Sequence, residues 1–216
     1  MKNFITTTMA LLALTVAAHA TDLPSKTKAP VPTPAPVAAP AATSNDSLSI
    51  GYSYDMGSNF SSKVDDSYSI GYTHNIGGGF SVGGLVNGTQ KTDNSITNYG
   101  EAQVGYKLPA FYGVTVGGKV ALGERLVSTG NFPYYALYGS ADYALGSGIT
   151  INAVQYRYRS AVDSNTYGWQ SHQIGTGVTY DITSNYSINA KVYRNYDNTF
   201  SNNTGDGVGV GLTVKF

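Results

Sequence analysis

From Gly207 to Phe216 the chain alternates without interruption. Val208, Val210, Leu212, Val214 and Phe216 share one face of an extended strand, and Gly207, Gly209, Gly211, Thr213 and Lys215 share the other. Side chains in a strand point to opposite faces with period two, so this segment has one wholly apolar face and one small or polar face. A soluble sandwich has room for such a strand, but it rarely ends one on a bare aromatic residue. The rest of the chain has to be compatible with this strand.

The beginning of the chain is consistent with export. Lys2 gives a short positive start, Ala10 to Ala18 an apolar run, and Ala18-His19-Ala20 an A-x-A cleavage site before Thr21. Residues 1–20 therefore read as a secretory signal peptide, the apolar run being too short to span a bilayer. Cys is absent, which excludes disulfides, thiol chemistry and a lipid anchor on cysteine. Residues 21–46 hold six of the 8 prolines, from Pro24 to Pro40, and read as an extended Pro/Ala-rich disordered linker in the periplasm. Charged residues make up only 12% of the chain, while Gly numbers 26 and Tyr 18. That balance, with no long apolar run after the signal, suits a barrel in which alternate residues meet lipid. The formal net charge is zero, so nothing favours nucleic acid.

Residues 47–216 carry ten segments of period-two patterning, at about 47–56, 66–76, 79–90, 95–108, 111–124, 133–145, 148–160, 169–182, 184–197 and 205–216. Short connections, such as Gly77-Gly78-Gly79 and Gly146-Ser147-Gly148, alternate with longer polar ones, such as 57–65 and 198–204. On the apolar parity Phe80, Tyr106, Tyr112, Tyr143, Tyr180, Tyr186 and Phe216 fall near the short turns, and Tyr54, Tyr68, Tyr135 and Tyr158 near the longer loops. Two aromatic rings bracketing an aliphatic band match the interfacial girdles of a membrane barrel. The seventh segment breaks parity between Ile151 and Val154, which predicts a bulge near Ala153.

The closing strand ending in Phe216, the alternation and the turn asymmetry resemble small bacterial outer-membrane β-barrels of the OmpA, OmpX, opacity and porin-family type. The resemblance covers 47–216. It implies an all-β, transmembrane, antiparallel up-and-down barrel of about ten strands, or about eight or twelve if a boundary is misplaced. It further implies both termini in the periplasm, export to the outer membrane of a Gram-negative bacterium, and contact with outer-membrane lipid. The strand of Val208, Val210, Leu212, Val214 and Phe216 would be the signal read by the outer-membrane assembly machinery, with periplasmic chaperones as escorts.

The inward parity carries the candidate function. Glu101, Lys119, Arg157 and Lys191 fall near mid-barrel, with Arg159 slightly higher and Asp142 lower, opposite a wall of Gly and Ser. A barrel of about ten strands lies close to the limit at which side chains fill the lumen. In a plugged lumen Glu101 would bridge Lys119 and Arg157, with Asp142 or water neutralising the remaining cations. In a hydrated one the surplus positive charge would favour anions. Three functions follow: porin-like passage of ions or very small solutes, a non-conducting envelope barrel tethered toward peptidoglycan through Lys26 and Lys28, or surface adhesion through the loops. Phe132, Trp169 and Phe200 are the aromatics expected at the outer rim for such contacts.

No enzyme or cofactor signature emerges. His74 and His172 fall near opposite ends, and no His accompanies Asp55, Asp65 and Asp66, as an omptin-type protease would need. No His/Asp/Glu spacing supports a metal.

Overall fold

A computed structural model describes residues 45–127, 130–163 and 169–216. The signal-peptide reading and nearly all of the linker reading lie outside the described residues. Ten strands follow one another: β1 (Asp46–Met56), β2 (Lys63–Gly77), β3 (Phe80–Lys91), β4 (Ile96–Lys107), β5 (Val114–Leu126), β6 (Phe132–Gly146), β7 (Ile149–Ala161), β8 (Gln170–Asp181), β9 (Tyr186–Tyr196) and β10 (Asn203–Lys215). Each pairs antiparallel with its sequence neighbours, and β1 pairs with β10 from Ser47↔Lys215 to Met56↔Asp206, closing the barrel. Closure removes the two sheet edges, whose unpaired N–H and C=O groups have no partner in a bilayer. The seam is completed by the Phe216 amide, which donates to the Asp46 carbonyl at 3.0 Å.

Polarity is inverted relative to a soluble domain. The outward parity places Ile70, Val86, Val104, Val120, Leu122, Leu137 and Val192 around the circumference, with Val86 and Leu122 63% and 69% exposed. An apolar belt running around the barrel would be untenable in water and is the natural surface for lipid. Val208, Val210, Leu212, Val214 and Phe216 all lie on this face, alternating with inward Gly207, Gly209 and Gly211. The aromatic girdles pair across strands, Phe80 against Tyr106 at 4.6 Å between ring centroids at the short-turn end, Tyr52 against Tyr68 at 5.3 Å and Tyr135 against Tyr158 at 5.9 Å toward the other.

The parity break in β7 is a bulge. Val154 pairs with Ala141 and Asn152 with Asp142, leaving Ala153 without a partner on β6. The register toward β8 shifts over the same residues, between Asn152 and Gln155. The extra residue keeps Ile149 and Ile151 on the outer face below the bulge and Val154 and Tyr156 there above it.

At the long-loop end two aspartates organise the connections. Asp206 is fully buried and accepts from Arg194 Nε at 2.6 Å, the Phe60 amide at 3.0 Å and Asn203 Nδ2 at 3.2 Å. It thereby ties the 3₁₀ turn Ser58–Phe60 onto β9 and β10. Asp197, in the loop after β9, accepts from the amides of Thr199 and Ser201 at 3.2 and 3.0 Å and from Asn202 Nδ2 at 2.6 Å. The Asn202 amide group and these backbone donors hold the Asp197 carboxyl down at about 2.

Two outcomes are expected. At Gly177 a Cβ would press on the Ala190 carbonyl oxygen and lie 3.1 Å from Lys191 Cα, backbone that cannot move without disturbing β9. Gly177→Val should lower stability by about 1–3 kcal/mol, read as the urea midpoint of the heat-modifiable gel band. Gly139→Val, where a Cβ meets nothing within 4 Å, should leave that midpoint nearly unchanged. The ordering of the loop by Asp197 should be complete above the ordinary carboxylate pKa of about 4. It should be lost as pH falls through about 2, where the folded-state carboxyl finally protonates. The Thr199 and Ser201 amide resonances report it, and loss near pH 4 would contradict the assignment.

Candidate functional site

The lumen is built by a simple rule of register: large inward side chains lie beside glycines. Glu101 on β4 faces Gly123 on β5, which in turn faces Tyr134 on β6. Lys191 on β9 is flanked by Gly177 and Gly209, and Tyr193 by Gly175 and Gly207. Each glycine leaves the volume into which the neighbouring side chain leans. A Cβ at Gly123 would meet the Tyr134 ring at 2.8 Å, and one at Gly209 would meet Lys191 Cε at 3.0 Å.

Glu101 is the hub of mid-lumen, its side chain 0% exposed. Oε1 accepts from Arg159 Nη2 at 2.7 Å and from the Tyr134 hydroxyl at 2.7 Å. Oε2 accepts from the Tyr138 hydroxyl at 2.5 Å and from Gln103 Nε2 at 2.9 Å. The Arg159 guanidinium also lies over the rings of Tyr99 and Tyr134, at 4.9 and 5.5 Å. A buried carboxylate with charge-assisted donors on both oxygens is fully compensated.

This network corrects the expected bridge from Glu101 to Lys119 and Arg157; the ionic partner is Arg159. Arg159 lies across from Ala136, and Ala136 across from Ala121, so its side chain reaches Glu101 over two small residues. Between Lys119 and Arg157 the same register puts Tyr138, whose ring fills the space. Asp142 neutralises none of the cations either; it accepts from Asn152 Nδ2 at 2.9 Å in the short-turn half. Lys119 faces the lumen and is exposed to solvent. Arg157 and Lys191 line a cavity of about 260 Å³ in the long-loop half, shared with Ser67, Ser69 and Asn87 from the opposite wall.

The three rim aromatics separate. Phe132 is 4% exposed and packs at 5.6 Å against Trp169 inside the mouth, because it shares inward parity with Tyr134 and Ala136. Trp169 lies against Tyr134 at 5.5 Å, with the Arg125 guanidinium 5.2 Å from its ring. Phe200 alone of the three is exposed, stacked on Tyr196 at 4.5 Å. His74 bonds Asp46 at 2.9 Å at the short-turn end, and His172 bonds Tyr156 at 2.7 Å toward the other, so the two do not meet. Among the described residues no group of His, Asp and Glu could hold a metal ion.

Sequence reasoning passed over the lumenal tyrosines. Tyr134 and Tyr138 share the parity of Asp142, Tyr99 that of Glu101, and Tyr193 that of Lys191. That shared parity was the available signal, masked by the abundance of tyrosine in the girdles. Asp55 and Asp65 were likewise noticed only near the rim. They pair directly across β1 and β2 and point inward.

No family model matches the sequence, and neither does any curated protein. Among solved structures, the COG4313 outer membrane channel from Pseudomonas putida F1 is 8% identical with a TM-score of 0.51, over 83% of this chain and 100% of that one. The KdgM porin is 16% identical with a TM-score of 0.45, over 79% and 99%. The NanC porin is 10% identical with a TM-score of 0.46, over 78% and 100%. The likeness is one of fold. The closed sheet and its apolar belt define the class, a membrane-spanning β-barrel. Within that class this chain is a ten-strand barrel whose lumen is lined by charged and tyrosine side chains.

Removing Glu101 alone would strand Arg159 without its counter-ion. Glu101→Ala should therefore cost about 3–5 kcal/mol, measured as the urea midpoint of refolded protein in micelles. The double replacement Glu101→Leu with Arg159→Met should recover most of that loss. A Glu101→Ala midpoint equal to wild type would mean that the pair is not buried as described.

Proposed function

We propose that this barrel is a narrow porin-like channel, passing ions and very small solutes passively between the outer surface and the periplasm. The observation that carries this reading is the distribution of accessible charge along the lumen. Lys119 is reached by solvent in the short-turn half and Arg157 and Lys191 border the cavity in the long-loop half, with the Glu101 network between them. Near mid-barrel the four cations Lys119, Arg157, Arg159 and Lys191 outnumber the carboxylate of Glu101 together with Asp55 and Asp65 on the facing wall of the cavity. Net positive charge at a constriction favours anions. No catalytic role is assigned.

In this reading the short-turn end, where β1 begins and β10 ends, faces the periplasm. The Pro-rich segment is a spacer there, able to reach toward peptidoglycan. Val208, Val210, Leu212, Val214 and Phe216 serve as the assembly signal. A second reading, a non-conducting envelope barrel, draws support from the completeness of the Glu101 network.

Planar-bilayer conductance distinguishes them. Wild type should give steady steps in KCl with a reversal potential on the anion side, and Lys191→Glu should move that potential toward K⁺. Silence in wild type with steps in Glu101→Gln would mean that the ion pair plugs the lumen. Silence in both would sink the channel.

A further inference from the structure

The cavity in the long-loop half has two walls of opposite sign. One is acidic: Asp55 and Asp65, direct cross-strand partners on β1 and β2. The other is basic: Arg157 and Arg159 on β7 with Lys191 on β9. All five residues line the same space of about 260 Å³. That is room for several waters or for one solute of a few heavy atoms.

Both walls keep polar atoms that the protein does not satisfy. Asp65 Oδ1 is buried without a hydrogen-bond partner, and so are Nε of Arg157 and Nε of Arg159. Arg159 is only 5% exposed. Asp55 is different: it accepts from the Tyr193 hydroxyl at 2.5 Å and from the Ser67 hydroxyl at 3.0 Å, which hold it in place beside Asp65. Lys91 is the cross-strand neighbour of Asp65 on its other side, at the exposed rim. A buried polar atom left unpaired costs about 1–3 kcal/mol, and all three belong to charged residues that line the cavity, so the protein leaves the charges of both walls incompletely compensated.

The sign pattern narrows that ligand. A simple anion would satisfy the arginines and be repelled by the paired carboxylates. A simple cation would do the reverse. A molecule carrying both charges a few atoms apart can answer both walls at once. We infer that this cavity is a binding site for small zwitterions of the α-amino acid type, the carboxylate lying toward Arg157, Arg159 and Lys191 and the ammonium toward Asp65 and Asp55. Resting on the channel reading, the assignment names the class of solute that the channel would take.

Equilibrium dialysis of the refolded protein in detergent micelles tests binding apart from conduction. The probes are L-serine, acetate and methylammonium. Serine should be retained at least about tenfold more tightly than either single-charge probe. Asp65→Asn and Arg157→Gln should each weaken serine retention about tenfold while keeping the folded gel mobility of wild type. Asp65→Asn replaces an acceptor that has no protein partner, so its folding is secure and it decides the matter if Arg157→Gln does not fold. Serine held no better than acetate, or unaffected by Asp65→Asn, overturns the assignment. KCl steps without serine retention would leave the channel standing and remove this site; serine retention with silent bilayers would keep the site and remove the channel.

Discussion

The molecule depends on the pairing of its first strand with its last. Ser47 to Met56 bonds to Asp206 to Lys215 over the whole length of β1, and the Phe216 amide adds a final bond to Asp46. Without that seam, two strands would present rows of unpaired amides and carbonyls to hydrocarbon, which offers no substitute partner. Closure also creates an inside and an outside. Each strand then carries two unrelated sets of constraints on alternate residues, one set by lipid and one by the contents of a narrow tube.

The tube is filled by complementarity in register. Ten strands give an interior that side chains nearly occupy, so every large inward residue needs room from its neighbours. Glycines at 123, 175, 177, 207 and 209 provide that room beside Glu101, Tyr134, Lys191 and Tyr193. The Glu101–Arg159 pair then sits over Ala121 and Ala136, with tyrosine hydroxyls completing the carboxylate. On this side the Glu101 carboxylate is satisfied on both oxygens. The cavity lies between β1 and β2 on one side and β7 and β9 on the other, where the opposed charges stand and where Asp65, Arg157 and Arg159 keep polar atoms unsatisfied. Packing and function thus divide the lumen between them.

Much of this was legible from the alternation alone. Period-two patterning locates every strand to within a few residues, and the parity break between Ile151 and Val154 locates the bulge at Ala153. Both succeed because lipid imposes one requirement, an apolar side chain, on every second residue. The inward parity of Glu101, Lys119, Arg157, Arg159 and Lys191 follows from the same rule. What alternation cannot supply is the partner of each. A plugged lumen was expected to bridge Glu101 to Lys119 and Arg157, yet Glu101 bonds Arg159, and Phe132 and Trp169, expected on the outer rim, turn into the mouth.

The class of fold, the apolar outer surface and the parity of each side chain can be read along the chain, because these are local properties of a strand meeting lipid. Tertiary structure alone decided which inward residues meet. That depends on the shear with which ten strands close and on small residues such as Ala121, Ala136 and Gly123. They clear a path from one strand to another two or three places away around the barrel, and no local pattern records how far such a side chain reaches.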